Sequence, residues 1–342
     1  MVNKTTIIDM KDIVLFIENS GYLKYTLPYI EIIEDLDVEY HIFSLETSEE
    51  LGYKNDKVSY FKNKAELNES LRSLSCKCFI TTTPGVGNFY FKKSKVSPKI
   101  NRPKYIYFFH SLNSPNENYS KNSFNGFDFI FSPNQVISEQ LSHIVNLKTT
   151  EIVTAGYQYL NKNTNTKLET SNKILIAPSW GKNNYFSENY EVYLYDLVTN
   201  LEDLGLEVLL RPHTMDIENF ARLKKSQNFT FYTKNNIDYS FFEYLITDWS
   251  GIALEFFYSN KKTVGFLDTP KKIRRRLKKS EIGINLIENE IRGKIGPVLN
   301  FKSPNLENML HFNYKESEYI DSLFYPKFDK YLVKKTLLKI LN

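Results

Sequence analysis

Short apolar runs recur along this chain, and each stops at a cluster of polar, turn-forming residues. Asp12 to Glu18 (DIVLFIE) ends in Asn19-Ser20-Gly21. Leu23, Leu27, Ile30, Ile33 and Leu36 then follow at helical spacing, and Val38 to Ser44 (VEYHIFS) resumes an extended pattern. Apolar side chains three to four residues apart mark a helix face, and β-branched or aromatic runs bounded by turn residues mark strands. A strand–helix–strand opening is the start of a parallel sheet. Lys77 to Thr83, Tyr105 to Phe109 and Phe127 to Phe131 read as further strands, ending in Pro84-Gly85-Val86-Gly87, His110 and Ser132-Pro133-Asn134.

Residues 161–172 (NKNTNTKLETSN) are polar and aperiodic, which reads as a linker. After it the alternation restarts. Lys173 to Ala177 ends in Pro178-Ser179-Trp180-Gly181, a helix is predicted over 188–204, and Leu206 to Leu210 ends in Arg211-Pro212-His213. Phe241 to Ile246 leads into Thr247-Asp248-Trp249-Ser250-Gly251, and Thr263 to Leu267 ends in Asp268-Thr269-Pro270. Two successive strand–helix series joined by a linker imply an α/β chain of two Rossmann-like domains facing across a cleft, the GT-B architecture. The expected division is 1–160 for an N-terminal Rossmann-like domain, 173–322 for a C-terminal Rossmann-like domain and 323–342 for a C-terminal helix.

Composition excludes several classes. The 342 residues hold 44 basic and 40 acidic side chains, a net charge of +4, too mild for a nucleic-acid partner. The 24 Tyr and 25 Phe are read as core packing. Cys76 and Cys78 are one residue apart, where a disulfide would be strained, and they are read as reduced. No run of about 18 apolar residues exists, and residues 1–11 lack the apolar core of a signal peptide. The expected location is the cytoplasm, with a peripheral position at the inner face of the membrane left open. The Gly85-x-Gly87 pair lacks the third glycine of a dinucleotide-binding fingerprint and lies far from the first strand, so it reads as a turn.

In an open α/β sheet, ligands bind outside the carboxyl ends of the strands. A helix start adds free backbone N–H groups and a positive dipole end, which suits a phosphate. Arg211-Pro212-His213 brings a cation and an imidazole to one strand end. Thr247-Asp248-Trp249-Ser250-Gly251 brings a carboxylate and hydroxyls to another, where a helix begins. These two runs look like two walls of one site for a phosphorylated ligand.

Four motifs in order now resemble a known family. His110-Ser111 follows an apolar strand. Ala177-Pro178-Ser179-Trp180, Arg211-Pro212-His213 and Thr247-Asp248-Trp249-Ser250-Gly251 follow at fitting spacing. Over roughly residues 100–300 the chain looks like the CDP-glycerol glycerophosphotransferases of teichoic-acid and capsule synthesis. Gly251 stands where the family carries a second serine, and Thr214 follows His213 where the family often has proline. The resemblance implies transfer of a polyol-phosphate group from a CDP-alcohol to a hydroxyl of a glycan or lipid-linked acceptor, with release of CMP. It also implies a donor site that needs no metal, and no cofactor. The alternative is a GT-B glycosyltransferase using a CMP- or UDP-linked sugar, and a non-catalytic nucleotide-binding scaffold is a third reading.

Such a transfer needs neutralised pyrophosphate charge, a deprotonated acceptor hydroxyl and a held leaving group. Arg211 can clamp a phosphate with its planar fork, or pair with a surface carboxylate. Ser250 and the N–H groups of Ser250 and Gly251 can hold phosphate oxygens, or Ser250 can cap the helix. His110 is read as the base or acceptor-orienting group and His213 as a partner of the transferring phosphate, with the assignment between them open. Histidine near its ordinary pKa can serve either way. Asp248 is the third catalytic candidate, able to orient a histidine or bind a donor hydroxyl. Ser111, Ser179, Trp180 and Glu255 complete the substrate-binding set; Glu255 either reaches a ribose or lies on a solvated helix face. His41 and His311 are read as structural. The basic run 271–279 reads as a solvated face. The amphipathic segment 325–342 either packs on the first domain or meets the membrane surface.

Overall fold

The structure, a computed structural model, describes residues 11–72, 74–84, 103–119, 123–159, 171–180, 184–213, 216–225, 229–234, 237–268, 286–314 and 316–342. Gly85-x-Gly87, Gly181, Thr214, the basic run 271–279 and linker residues 161–170 lie outside the described residues. The chain divides into two units. The first comprises residues 1–111, 118–161 and 322–342, and the second comprises 112–117 and 162–321. The short segment 112–117 therefore groups with the second unit, although it precedes the linker by some fifty residues of sequence.

The first unit is built on strands β1 (Lys11–Ile17), β2 (Tyr40–Ser44), β3 (Val58–Tyr60), β4 (Cys76–Thr81), β5 (Lys104–Phe108), β6 (Phe129–Ser132) and β7 (Glu151–Thr154). Every pairing is parallel, in the order β3-β2-β1-β4-β5-β6-β7. Strand order reverses between β1 and β4, as in doubly wound nucleotide-binding sheets. Ile13, Val14, Leu15, Phe16 and Ile17 are all buried, so β1 is covered on both faces. The helix Ser20–Glu34 starts where Asn19 accepts a hydrogen bond from the Gly21 N–H at 3.0 Å. It lays Tyr29, Ile30 and Ile33 into the core, with Tyr29 stacked on Phe108.

The C-terminal helix Lys330–Leu341 belongs to this same core. Asp329 caps it by accepting from the Leu332 N–H, and Val333, Leu337 and Leu341 pack among Tyr29, Ile33 and Ile80. Its lysines reach over the unit: Lys330 pairs with Glu31 at 3.3 Å and Lys339 with Glu151 at 3.6 Å. Cys76 and Cys78 are free thiols buried in β4, and burial pushes the Cys76 thiol up to about 12.

The second unit carries β8 (Lys173–Ile176), β9 (Glu207–Leu210), β10 (Tyr244–Thr247), β11 (Val264–Leu267) and β12 (Val298–Leu299), again all parallel, in the order β12-β11-β10-β8-β9. Its order reverses between β8 and β10, the flavodoxin-like variant of the same rule. Gly265 and Gly296 permit close packing here: a Cβ on Gly265 would sit 2.7 Å from the Met309 sulfur, and one on Gly296 would overlap the Val264 carbonyl. The helix expected over 188–204 begins as a 3₁₀ turn, Glu188–Tyr190, and continues as Glu191–Asp203. The strand expected from Phe241 is shorter. Tyr239–Phe241 forms a 3₁₀ turn, capped by Asp238, and extension starts at Tyr244. Among the described residues no helix is long and apolar enough to cross a membrane.

Candidate functional site

Register explains why three of the motifs gather. Ile176 of β8 pairs with Leu210 of β9 on one side and Ile246 of β10 on the other. The three motifs begin one residue beyond this row, at Ala177, Arg211 and Thr247. Backbone bonds hold them level: Ala177 N–H to Ile246 O at 2.9 Å and Arg211 N–H to Ile176 O at 2.9 Å. The Thr247 hydroxyl adds a bond to Ala177 O at 2.7 Å. The carboxyl ends of β9, β8 and β10 thus deliver their polar residues to one edge of the second unit.

Asp248 ties two of these ends together. Its carboxylate accepts from the Ser179 N–H at 2.7 Å, the Ser179 hydroxyl at 2.8 Å and the Trp249 N–H at 2.6 Å. This bridge lies at the reversal between β8 and β10. The helix Ile252–Asn260 then opens directly from the loop, with Gly251 at its N-cap position. The Ser250 hydroxyl makes a long bond, 3.5 Å, to the Ile252 N–H. Among the described residues no acceptor meets the N–H groups of Ser250 and Gly251. Helix-start donors of this kind, near the positive end of a dipole, are suited to a phosphate.

Behind the loop lies a cation that sequence reasoning missed. The Arg292 guanidinium lies over the Trp249 ring at 4.1 Å and the Phe266 ring at 5.0 Å. It donates to the Asp248 carbonyl at 2.6 Å and the Leu267 carbonyl at 3.4 Å. Burial lowers its pKa to about 10, against the pull of Asp248, Asp268 and Glu288. It remains charged at neutral pH. Arg292 sits between Ile291 and Gly293 with no motif around it, so nothing in the sequence marked it.

The segment 112–117 closes the other side of the loop. Asn113 Nδ2 donates to the Trp249 carbonyl at 3.1 Å. The Ser114 N–H donates to the buried Glu288 carboxylate at 2.9 Å, and the Ser114 hydroxyl accepts from the Ile287 N–H at 2.8 Å. Asn113 was findable in principle, because it follows the His110-Ser111 motif within three residues, but Asn-Ser-Pro reads as an ordinary turn.

At the β9 end the Arg211 guanidinium donates to the Lys234 carbonyl at 2.6 Å and lies 5.6 Å from the Tyr232 ring. This partner is a backbone oxygen. His213 stacks on Trp180, with ring centroids 6.1 Å apart and planes 30° apart. Trp180 is 57% exposed, so an aromatic face and an imidazole lie open together. Asp216, buried, accepts from Asn184 and Asn219, and its N–H donates to the His213 carbonyl at 2.8 Å.

Glu255 sits elsewhere. It is 6% exposed, and its carboxylate accepts from the Tyr239 hydroxyl at 2.7 Å inside the second unit. The reading of a solvated helix face is therefore corrected: residue 255 lies on the core side of the helix Ile252–Asn260.

In the first unit, His110 follows the end of β5 among tyrosines. The Tyr22 ring meets it edge-on at 4.9 Å and the Tyr25 ring lies at 5.6 Å. Nδ1 is 3.5 Å from the Tyr107 hydroxyl, and the Tyr157 hydroxyl donates to the His110 carbonyl at 3.3 Å. Burial and the nearby Glu18 push the Tyr22 hydroxyl up to about 12, so it stays protonated. Ser111 is half-buried at the boundary of this unit. His41 pairs with Ser59 at 2.8 Å across β2 and β3. Among the described residues no group of three or more His, Cys, Asp or Glu could hold a metal ion.

Residues 109–270 match the model of the family described as CDP-Glycerol:Poly(glycerophosphate) glycerophosphotransferase. Among solved structures, the wall teichoic acid polymerase TagF aligns with a TM-score of 0.61 at 17% identity, over 97% of this chain and 89% of that one. The Methanocaldococcus jannaschii UDP-GlcNAc 2-epimerase in complex with UDP-GlcNAc and UDP aligns at 0.57 and 14% identity, over 97% and 99% of the two chains. The S. aureus MnaA–UDP structure aligns at 0.56 and 13%, over 96% and 95%. No curated protein sequence matches the chain. At these identities the structural likenesses establish the fold, and the family match covers all four motifs. Over residues 109–270 the chain is similar to the CDP-glycerol glycerophosphotransferases, and it is a glycerophosphotransferase-like enzyme with the GT-B fold.

Proposed function

We propose that the chain transfers a polyol-phosphate group from a CDP-alcohol to a hydroxyl of a cell-surface glycan or polymer precursor, releasing CMP. The observation that carries this reading is the Ser250-Gly251 turn, whose N–H groups meet no acceptor among the described residues, beside Ser179, Arg211 and His213 at one edge of the second sheet. A histidine-to-asparagine variant of TagF was soaked with CDPG, which supports a CDP-linked donor here.

In the reaction the acceptor oxygen attacks the phosphorus that bears the alcohol. The bond from that phosphorus to the bridging oxygen breaks, and CMP leaves with the electron pair. His110 takes the acceptor proton. Arg211, His213 and the Ser250 and Gly251 N–H groups balance the charge that builds on the phosphoryl oxygens and the leaving CMP. Trp180 offers a ring face to the donor, and Asp248 and Ser179 keep the loop in shape. Ser111 serves the acceptor beside His110. The acceptor is a glycan or lipid-linked chain, with the enzyme working at the inner face of the cytoplasmic membrane.

Incubation with CDP-glycerol, CDP-ribitol and a panel of nucleotide sugars, with released CMP, CDP and UDP measured, tests the reading. CMP from a CDP-alcohol supports it. Release of UDP from a nucleotide sugar, with CDP-alcohols inert, would favour the glycosyltransferase alternative, which the likeness to two UDP-bound structures keeps in view.

A further inference from the structure

A trans peptide fixes the direction of an N–H by fixing the carbonyl of the residue before it, because the two point opposite ways in one plane. The candidate phosphate loop is pinned in this manner at two successive peptides. Arg292 Nη2 holds the Asp248 carbonyl at 2.6 Å, and this peptide's N–H, on Trp249, turns onto the Asp248 carboxylate at 2.6 Å. Asn113 Nδ2 holds the Trp249 carbonyl at 3.1 Å, and this peptide's N–H belongs to Ser250. Asn113 itself is kept in place by its neighbour Ser114, bonded through both its N–H and its hydroxyl to the 287–288 segment.

We propose that Asn113 and Arg292 are positioning residues for the donor site: by drawing the Trp249 and Asp248 carbonyls away, they aim the Ser250 N–H at a phosphate of the nucleotide. This rests on the reading of the loop as the donor's phosphate site. The anchoring groups come from 136 residues upstream and 44 residues downstream of their partners. A loop held from both sides needs no rearrangement to receive an anion, and that preorganisation shows as affinity.

Titration calorimetry with CDP and with cytidine, on wild type, Asn113→Leu and Arg292→Lys, is the test. Leucine keeps the branched shape of asparagine, slightly enlarged, without a donor, and lysine keeps the charge without the fork. Asn113→Ser is the substitute if leucine disturbs folding. The losses expected are about tenfold in CDP affinity for each variant, the scale of one charge-assisted hydrogen bond. Cytidine affinity should stay within about twofold, and the Ser250 amide proton should move downfield on CDP addition in wild type but not in the variants. Wild-type CDP affinity in Asn113→Leu and Arg292→Lys would overturn the positioning role while leaving the donor reading intact. Equal losses for CDP and cytidine would also overturn it, since they report general loosening. A wild-type protein that fails to bind CDP would remove both.

Discussion

Ser179 and Asp248 stand 69 residues apart in sequence, yet one carboxylate takes both the N–H and the hydroxyl of the serine, at 2.7 and 2.8 Å. The bridge joins the loops after β8 and β10 where strand order reverses. Doubly wound sheets hold their ligands at this point because loops on either side diverge and leave a crevice. Here the crevice edge is tied by charge-assisted bonds, so the Ser250 loop cannot relax without breaking them. Asp248 is thereby committed to three donors of its own unit, which favours a positioning role for it over direct proton transfer.

Removing that tie should cost both stability and donor binding. Asp248→Ala leaves the half-buried Ser179 donors without an acceptor, and a loss of about 2 kcal/mol is expected. Urea unfolding reads the stability and donor KM reads the binding. An unchanged midpoint together with an unchanged KM would show that the bridge is dispensable.

Alanine at His110 or at His213 should lower turnover by about two or more orders of magnitude, the scale of losing an acid–base or charge-stabilising group. Neither side chain anchors the core. Circular dichroism and melting temperature should therefore match wild type. Full activity in both variants would remove their catalytic assignment.

Arg211→Ala and Arg211→Lys should both weaken CDP and CMP binding by about tenfold or more. The guanidinium already spends one N–H on the Lys234 carbonyl at 2.6 Å, which orients the rest of the fork. An ammonium cannot both keep that bond and present a planar pair of donors. Equal nucleotide affinity in wild type and Arg211→Lys would indicate that the donor phosphates lie elsewhere.

The sequence made the central strands and the edge strand β9 legible, but not the edge strands β3, β7 and β12. Runs such as Asp12–Glu18 and Lys173–Ala177 are covered on both faces, so they read as unbroken apolar segments. The strands β3, β7 and β12 close the edges of their sheets and have three, four and two residues. Such short, partly exposed pieces carry no periodicity to detect. At the site, residues at strand ends could be named because strand direction fixes where they emerge. Arg292 and Asn113 could not, since each acts on a backbone carbonyl that no spacing rule predicts. Glu255 shows the converse limit, since its place against Tyr239 depends on a 3₁₀ turn, Tyr239–Phe241, just ahead of the expected strand, where no periodicity marks it.

Gly156 and the C-terminal segment give the sharpest structural prediction. Gly156 has φ of +87°, and a Cβ there would lie 2.5 Å from the Lys327 carbonyl carbon and 2.6 Å from Phe328 Cα. The Asp329 N–H donates to the neighbouring Ala155 carbonyl at 2.8 Å, so this contact seats the helix Lys330–Leu341. Phe328, Val333, Leu337 and Leu341 follow it into the core of the first unit. Burial of each such side chain is worth about 1.5–3 kcal/mol, so the four together approach the whole stability of an ordinary domain. The exposed lysine pairs of this helix add little by comparison. Deleting residues 325–342 should give a chain that aggregates and binds a hydrophobic dye. Gly156→Ala should be milder but still lose about 2 kcal/mol or more, from the left-handed backbone and the clash together. Urea denaturation of Gly156→Ala and dye binding by the truncated chain check the two halves. A truncated protein that stays soluble and fully active, losing vesicle binding alone, would show that the helix serves the membrane rather than the core.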